Sequence, residues 1–269
     1  MRFGLHVPQL GAFGEPGDLV DLAGRAEAVG WDGFFVWDHV MHAGDPPACD
    51  PWVALGAIAA STELIRIGPL VTPLPRRRPW KVAREATTVD RLSNGRTVLG
   101  VGIGTDRYGE FTKFAEPATD DRTRAARLDE ALDIVTALWR GEPVTFAGKH
   151  YTATDVVQIP RPIQEPRIPI WCAAAWPNLT PLRRAARWDG VVPVGRLTPE
   201  DVALVLDEID RHRTTDDPFD VALPSVHAIE TDIAEYEEAG VTWWLASILP
   251  ADALEDSRAL VDDGPPAIS

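Results

Sequence analysis

The chain has 269 residues, 45% of them hydrophobic and 25% charged, and its formal net charge is −15. Such an acidic balance argues against a nucleic-acid partner, because binding phosphates needs a basic face. The two cysteines form no C-x-x-C pair, so we expect neither structural zinc nor disulfides. The first residues lack the apolar segment of a signal peptide, and no apolar run approaches the roughly 20 residues of a transmembrane helix. We therefore expect a cytoplasmic protein.

Short apolar runs alternate with longer amphipathic segments along the whole chain. The predicted strands are residues 3–7, 33–37, 65–71, 97–103, 168–173, 190–194, 219–227 and 242–248. The predicted helices are residues 18–29, 51–61, 79–92, 123–139, 179–187, 198–212, 232–239 and 253–261. Residues 142–160 interrupt this order and predict a small hairpin inserted before the fifth strand.

Eight strands that alternate with eight helices predict parallel pairing through right-handed crossovers. We therefore predict an α/β fold, a (β/α)8 TIM barrel that forms a single domain over residues 1–269. A TIM barrel needs roughly 250 residues, which this chain supplies. An open, doubly wound sheet is the structural alternative. In a barrel the reactive groups lie at the carboxyl ends of the strands, so functional residues are expected there.

Asp38 and His39 follow the second predicted strand and therefore belong to the mouth of the barrel. Histidine changes its charge near neutral pH and can give or take a proton. The alternative is that Asp38 caps the loop and His39 is a satisfied polar residue. The sequence alone favours neither interpretation.

Three other segments at predicted strand ends admit both a functional and a purely structural interpretation. Gly104 closes a glycine-rich run that is not a dinucleotide-binding motif, and it serves either close packing or the approach of a flat ligand. The small residues 173–175 precede a helix, where free backbone N–H groups suit an anion, or they are only a tight connection. The basic run 76–78 could be a patch that binds a phosphate or an acidic cofactor tail. Alternatively, it is a solvated loop or a subunit contact.

Four tryptophans near predicted strand ends could wall a pocket for a planar ring, although each is more commonly core: Trp37, Trp176, Trp243 and Trp244.

Taken in order, several blocks of the sequence resemble the luciferase-like monooxygenase family, the flavin- and F420-dependent oxidoreductases similar to bacterial luciferase. The blocks are residues 26–39, 59–68, 83–96, 99–104, 138–141 and 168–171. The resemblance implies a (β/α)8 barrel, commonly dimeric, that binds reduced FMN or the deazaflavin F420. It also implies monooxygenation or hydride transfer on a small organic substrate.

Residue by residue, the resemblance implies a catalytic pair and a cofactor site. Asp38 and His39 match the family's Asp-His pair near the cofactor ring, with His39 as the proton-transfer residue. The implied cofactor-binding residues are Leu70, Val71 and Thr72 behind the ring, Gly104 and Thr105 after the fourth strand, and Ala174, Ala175 and Trp176 at the phosphate. The basic run 76–78 favours F420 over FMN.

Two positions depart from the family pattern. Ala174 and Ala175 stand where Gly-Gly is usual, which makes the phosphate end of the site the weakest part of the prediction. Thr105 stands where the deazaflavin sugar-phosphate dehydrogenases carry a catalytic glutamate, so that reaction is not expected.

Two alternative functions belong to other classes. One is a metal-dependent hydrolase that uses His6, His39 and His227, which lie at three strand ends; the other is a non-catalytic flavin-binding protein.

Overall fold

The computed structural model describes residues 1–229 and 232–267. Eleven strands are found in this part of the chain: β1 Arg2–Val7, β2 Gly33–Val36, β3 Arg66–Pro69, β4 Thr72–Pro73, β5 Leu99–Gly102, β6 Val144–Ala147, β7 Thr152–Val156, β8 Ile170–Ala175, β9 Gly190–Val194, β10 Asp220–Pro224 and β11 Trp243–Ser247. The α-helices are α1 Pro16–Ala28, α2 Pro51–Ser61, α3 Pro79–Leu92, α4 Asp121–Trp139, α5 Leu179–Ala185, α6 Pro199–Asp210, α7 Ile233–Glu238 and α8 Leu254–Asp262.

The parallel strands close into a barrel. Its hydrogen-bonded order is β3-β2-β1-β11-β10-β9-β8-β5-β4, and β3 and β4 are two parts of one strand position on either side of a cis peptide bond between Leu70 and Val71. A bridge between Ile67 and Thr97, with the β4–β5 pairing, joins this position to β5 and completes the ring. The predicted (β/α)8 barrel is therefore confirmed, and the open-sheet alternative is wrong.

The predicted insertion forms the antiparallel hairpin β6–β7, whose register shifts between Val144 and Phe146. It precedes β8, as expected. The helix starts follow local rules: Asp50 accepts hydrogen bonds from two backbone N–H groups at the start of α2, and Thr198 and Asp201 form a reciprocal capping box at the start of α6. In the described ranges, no helix combines the length and the apolar character needed to cross a bilayer.

The interior of the barrel is filled by aromatic side chains. The ring centroids of Phe35, Trp171 and Trp243 lie 5.3 to 5.8 Å apart, and all three side chains are buried. Gly190 leaves room for this packing, because a Cβ there would lie 2.5 Å from the ring of Trp171. Trp243 is thus a core residue, and Trp244 is buried in the separate cluster between the strands and the helices. The interior rings form a solid floor beneath the mouth.

Candidate active site

Asp38 lies in the mouth directly after β2, and its carboxylate is fully buried among donors. Oδ1 accepts hydrogen bonds from Arg76 (2.8 Å) and Arg77 (2.9 Å). Oδ2 accepts from Arg77 (2.9 Å) and from the hydroxyl of Thr72 (2.8 Å). The carboxylate is thus shielded from solvent and holds Arg76, Arg77 and Thr72 in place around it, and its predicted catalytic role stays a prediction.

The arginines after β4 do not form the free positive patch that the sequence indicated. The side chains of Arg76 and Arg77 are only 6% and 16% exposed, and both are ion-paired with Asp38. Arg76 also contacts Glu110, at 2.5 Å. Within the run only Arg78 is exposed. The free phosphate patch and the solvated loop are therefore wrong interpretations of Arg76 and Arg77, because carboxylates distant in sequence neutralise both side chains, while the third interpretation, a subunit contact, stays a prediction.

Glu110 is the member of this cluster that the sequence analysis missed. It follows β5 in the loop 103–120, where Asp106 accepts hydrogen bonds from the backbone N–H groups of Phe111 and Thr112 and so folds the loop back over the mouth. Burial alone would raise the pKa of Glu110, but the hydrogen bond and charge of His39 and the charge of Arg76 outweigh it and lower the pKa. Nothing in the local sequence marks a lone glutamate in a polar loop as functional.

His39 sits beside this cluster and reaches the mouth. Its Nδ1 lies 3.0 Å from Oε2 of Glu110, and its backbone carbonyl accepts a hydrogen bond from Gln9 (2.5 Å). Its ring lies 5.9 Å from the rings of both Trp37 and His42. The side chain is 24% exposed, and no protein group in the described ranges hydrogen-bonds its Nε2. One ring nitrogen is thus anchored while the other is open to a ligand.

His6, at the end of β1, is buried and uncharged at neutral pH. Burial lowers the pKa of His6 to about 4, even though a hydrogen bond to the carbonyl of Leu70 (3.0 Å) favours the charged form. Because that carbonyl only accepts, Nε2 is the donor and Nδ1 keeps its lone pair. The buried Nδ1 of His6 and Nε1 of Trp37 both lack a hydrogen-bond partner, and their rings are 5.3 Å apart.

We expect His6 to make the protein acid-sensitive. Its folded-state pKa of about 4 lies below the ordinary value of 6.5, so the unfolded chain binds an extra proton between these values and stability falls as the pH drops from 7 to 4. We expect His6 to lower the free energy of unfolding by about 3 kcal/mol at pH 4. Urea unfolding at both pH values measures it.

The matched comparison is His6→Gln, which keeps a donor for Leu70 but does not titrate. Between pH 7 and pH 4 the free energy of unfolding of this variant should fall by about 3 kcal/mol less than that of wild type, whatever its stability at pH 7. Equal pH dependence in the two proteins would contradict the buried, neutral histidine.

The three predicted residues at the break between β3 and β4 face different ways. Leu70 is buried in the barrel interior, and its carbonyl is used by His6. The fully buried Thr72 donates to Asp38. Val71 is partly exposed and packs on the interior cluster from above. Of the three side chains, Val71 is therefore the one placed to contact a ligand.

Gly104 needs no ligand to explain it. It has φ +74°, and a Cβ would lie 2.8 Å from Pro73 and 3.2 Å from the ring of Phe111. Conformation and packing both require glycine here, in line with the structural interpretation. Thr105, which follows it, is exposed. The cofactor contact assigned to these two residues stays a prediction.

The end of β8 presents alternate alanines to the mouth. Ala174 packs outward with Cys172 in the layer between strands and helices, whereas Ala173 is half-buried and Ala175 is exposed. The side chain of Ala174 is therefore turned away from the mouth, and Ala173, which was not predicted, lies on the mouth side. Trp176 is held in place, because its Nε1 donates to Asp201 (2.9 Å).

Gly102 on the neighbouring strand lies close to both Val71 and Ala173. A Cβ added to Gly102 would lie 3.0 Å from Val71 and 3.4 Å from the Cβ of Ala173. Val71, Gly102 and Ala173 thus lie side by side and form a shallow apolar ledge above the aromatic floor. The unpartnered polar atoms of His6 and Trp37 lie at the same end of the barrel. This combination fits one face of a planar, partly polar ring.

The histidines proposed as metal ligands are not arranged as a ligand set. Nε2 of His6 is bound to a carbonyl, and Nδ1 of His39 is bound to Glu110. Among residues 1–229 and 232–267, no group of three or more histidine, cysteine, aspartate or glutamate side chains is placed to hold a metal ion. The histidine set on which the hydrolase alternative depended is therefore missing.

The fold and this cluster define a (β/α)8 barrel with a polar site at its mouth. The chain belongs to the luciferase-like monooxygenase family, whose sequence model matches residues 1–261. The family resemblance predicted from the sequence is thereby confirmed.

Among curated proteins, the chain is similar to two that are named F420-dependent glucose-6-phosphate dehydrogenase. The one from Beutenbergia cavernae is 40% identical over 172 residues, which are 62% of this chain and 49% of that protein. The one from Microbacterium testaceum is 38% identical over 188 residues, which are 68% and 53% of the two chains. The chain spans about half the length of the curated relatives it matches.

Two solved structures share the fold over nearly their whole length. An F420-dependent secondary alcohol dehydrogenase in complex with an F420–acetone adduct has a TM-score of 0.82 at 18% identity, covering 100% of this chain and 99% of that one. A coenzyme F420-dependent tetrahydromethanopterin reductase from Methanopyrus kandleri has a TM-score of 0.77 at 18% identity, with 98% coverage of each chain. At this identity the likeness shows the barrel and nothing finer.

Proposed function

We propose that this chain is an oxidoreductase that uses F420 or FMN to transfer a hydride to or from a small organic substrate, or to oxygenate it. The observation that carries the proposal is His39, which has one ring nitrogen anchored on Glu110 and the other open in the mouth. A single positioned imidazole that belongs to no metal-holding group among residues 1–229 and 232–267 suits proton transfer to or from a bound substrate. Family membership supports redox chemistry over hydrolysis.

The cofactor would be held by the residues of the mouth. Val71, Gly102 and Ala173 offer one apolar face, and the unpartnered Nδ1 of His6 and Nε1 of Trp37 are buried polar groups at the same end. When bound, a flavin or deazaflavin supplies the electron pair of the reaction, or takes it up. The protein's own part is to orient both molecules, to exclude water and to move one proton through His39.

The phosphate end of the cofactor is proposed to lie at residues 174–176, as the resemblance implies. Ala175 is exposed, so the backbone next to it is accessible to a phosphate. The carboxylate of Asp201 is close, since it accepts a hydrogen bond from Nε1 of Trp176. A negative charge here opposes a phosphate directly over Trp176, so the phosphate is better placed at the backbone of Ala175.

Between the two cofactors we propose F420 first. The original reason, a free arginine patch, no longer holds, because Arg76 and Arg77 are paired with Asp38. The preference now rests on the relatives at 38–40% identity, whose names specify F420. Isothermal titration calorimetry of the purified protein with F420 and with FMN, each oxidised and reduced, tests it. Saturable 1:1 heat with F420 is expected; heat with FMN alone would reverse the preference, and no heat with either would overturn the proposal.

Glucose 6-phosphate is not proposed as the substrate. Thr105 stands where the sugar-phosphate dehydrogenases carry their catalytic glutamate. The two acids that follow are engaged elsewhere, since Asp106 caps the loop and Glu110 is paired with His39 and Arg76. We therefore propose a substrate whose conversion needs one proton-transfer group, with His39 in that role and Asp38 as its positioning neighbour.

Two finer expectations belong to the same proposal. The resemblance implies a homodimer, and large apolar side chains are exposed on or beside α2 and α3, at Val53, Leu64 and Leu92. Light scattering on a size-exclusion column measures the number of chains in the assembly.

The expected location is the cytoplasm. A cofactor-binding protein without catalysis is the remaining alternative, and it would show calorimetric binding without turnover on any substrate class.

A further inference from the structure

Glu110 is tied to the mouth by three contacts, although it is 71 residues from His39 in sequence. Oε2 lies 3.0 Å from Nδ1 of His39, and Oε1 accepts a hydrogen bond from the backbone N–H of Val40 (2.8 Å). Arg76 donates to the same Oε1 at 2.5 Å. The carboxylate is 2% exposed, so solvent does not compete for it.

The pairing determines which nitrogen of His39 carries the proton. The low pKa of Glu110 means that it is ionised at neutral pH, and an ionised carboxylate can only accept. Nδ1 of His39 must therefore be the N–H donor, which leaves the lone pair of the neutral ring on Nε2. Nε2 is the nitrogen that has no protein partner in the described part of the chain.

We propose that Glu110 is a positioning residue for His39: it fixes the Nδ1–H tautomer and so makes Nε2 the atom that exchanges a proton with the substrate. That His39 transfers the proton rests on the proposed function. The tautomer of His39 does not depend on it, because it follows from the contact with Glu110. When Nε2 takes a proton from a substrate hydroxyl, the ring becomes an imidazolium with both nitrogens protonated. Glu110 keeps its negative charge throughout and stabilises that cation.

The surrounding charges agree with this assignment. Arg76 and Arg77, which follow β4, together balance the two carboxylates: Arg76 contacts both Asp38 and Glu110, and Arg77 contacts Asp38 alone. His6 on β1 is neutral at physiological pH, and burial together with the charge of His39 lowers the pKa of His42 on the same loop. Tyr108 approaches His39 only edge-on, at 6.3 Å. Glu110 is thus the one carboxylate of this cluster in direct contact with the His39 ring.

The tautomer can be measured on the protein without any cofactor. Long-range 15N–1H correlation spectra of uniformly labelled protein, recorded at a pH where the ring is neutral, separate the two tautomers by the shifts of their nitrogens. The His39 signals are assigned by their loss in His39→Gln. We expect wild type to show His39 protonated on Nδ1. We expect Glu110→Gln to lose this preference, because an amide can donate as well as accept.

The matched control is Glu116→Gln, which removes a carboxylate from the same loop without touching His39. Its His39 signals should match wild type. Glu110→Asp keeps an acceptor that is one methylene shorter, and it should retain the Nδ1–H form in part and recover part of the activity. An Nε2–H tautomer in wild type, or an unchanged tautomer in Glu110→Gln, would overturn the proposal; the wild-type spectrum decides it even if Glu110→Gln fails to fold.

Turnover provides the second readout. Glu110→Gln should lower kcat by about 10- to 100-fold with KM nearly unchanged, and the acidic limb of its pH profile should move. A changed tautomer with unchanged kcat would overturn the positioning role. If wild type shows the Nδ1–H form but binds neither F420 nor FMN, the proposed function fails while the fixed tautomer stands, so the two failures are distinguishable.

Discussion

Replacing His39 by alanine is expected to lower kcat by about 10²- to 10⁴-fold, which is the usual contribution of a positioned proton-transfer group. The dissociation constant of the cofactor should change little, because the apolar ledge of Val71, Gly102 and Ala173 is untouched. Steady-state kinetics on a substrate of the wild-type protein measures the first quantity, and calorimetry measures the second.

His212→Ala is the matched control for this substitution. His212 follows α6 at the protein surface, where it pairs with Glu208, and it has no contact with the mouth. Its kcat should equal that of wild type. If His39→Ala instead weakens cofactor binding as much as it slows turnover, His39 is a binding residue and its proton-transfer role is wrong.

Removing the carboxylate of Asp38 is expected to cause the largest loss of stability. Asp38→Ala leaves the side chain of Arg77, which is 16% exposed, without its partner, and it takes one of two partners from Arg76. Removing one partner of a buried ion pair lowers the free energy of unfolding by about 3–5 kcal/mol, because an uncompensated charge remains buried. In a chain of this size the melting temperature should fall by roughly 10 °C.

Glu255→Gln is the comparison at the surface. Glu255 is 85% exposed and pairs with Arg258 at 2.9 Å, so its loss should cost less than about 1 kcal/mol. Chemical unfolding of both variants beside wild type gives the two differences. Comparable small losses in both would show that the Asp38 cluster is no more stabilising than an exposed pair.

Local patterns were sufficient to predict the barrel. Alternating apolar runs and amphipathic segments repeat eight times, and each repeat is readable within about 30 residues. The hairpin at residues 144–156 was visible for the same reason, since it is a local break in that order. The position of His39 followed as well, because a residue directly after a buried strand must lie at the mouth of a parallel barrel.

The electrostatics of the site were not predictable, because every important pair is distant in sequence. Arg76 and Asp38 are 38 residues apart, and His39 and Glu110 are 71 apart. A run of three arginines looks like an exposed patch when only its neighbours are considered. Whether such charges are free depends on which loops the barrel brings together, and this is a property of the fold.

Side-chain direction accounts for the remaining differences. The resemblance assigned consecutive residues to the cofactor, but consecutive residues in a strand face opposite sides. Thus Ala174 points outward while Ala173 and Ala175 lie on the mouth side, and Thr72 turns to Asp38 while Val71 stays partly exposed. The predicted segments lie at the mouth, but the side chains of Leu70, Thr72 and Ala174 face away from it.

The aromatic floor formed by Phe35, Trp171 and Trp243 has a kinetic consequence. These rings fill the barrel interior beneath the ledge, so a ring held on the ledge would be reached from the mouth. Two molecules that share a passage with one entrance must leave in the reverse of the order in which they arrived. If the cofactor ring rests on the ledge at Val71, as proposed, it would lie beneath the substrate and would have to bind first. Product would then depart before the ring could be exchanged.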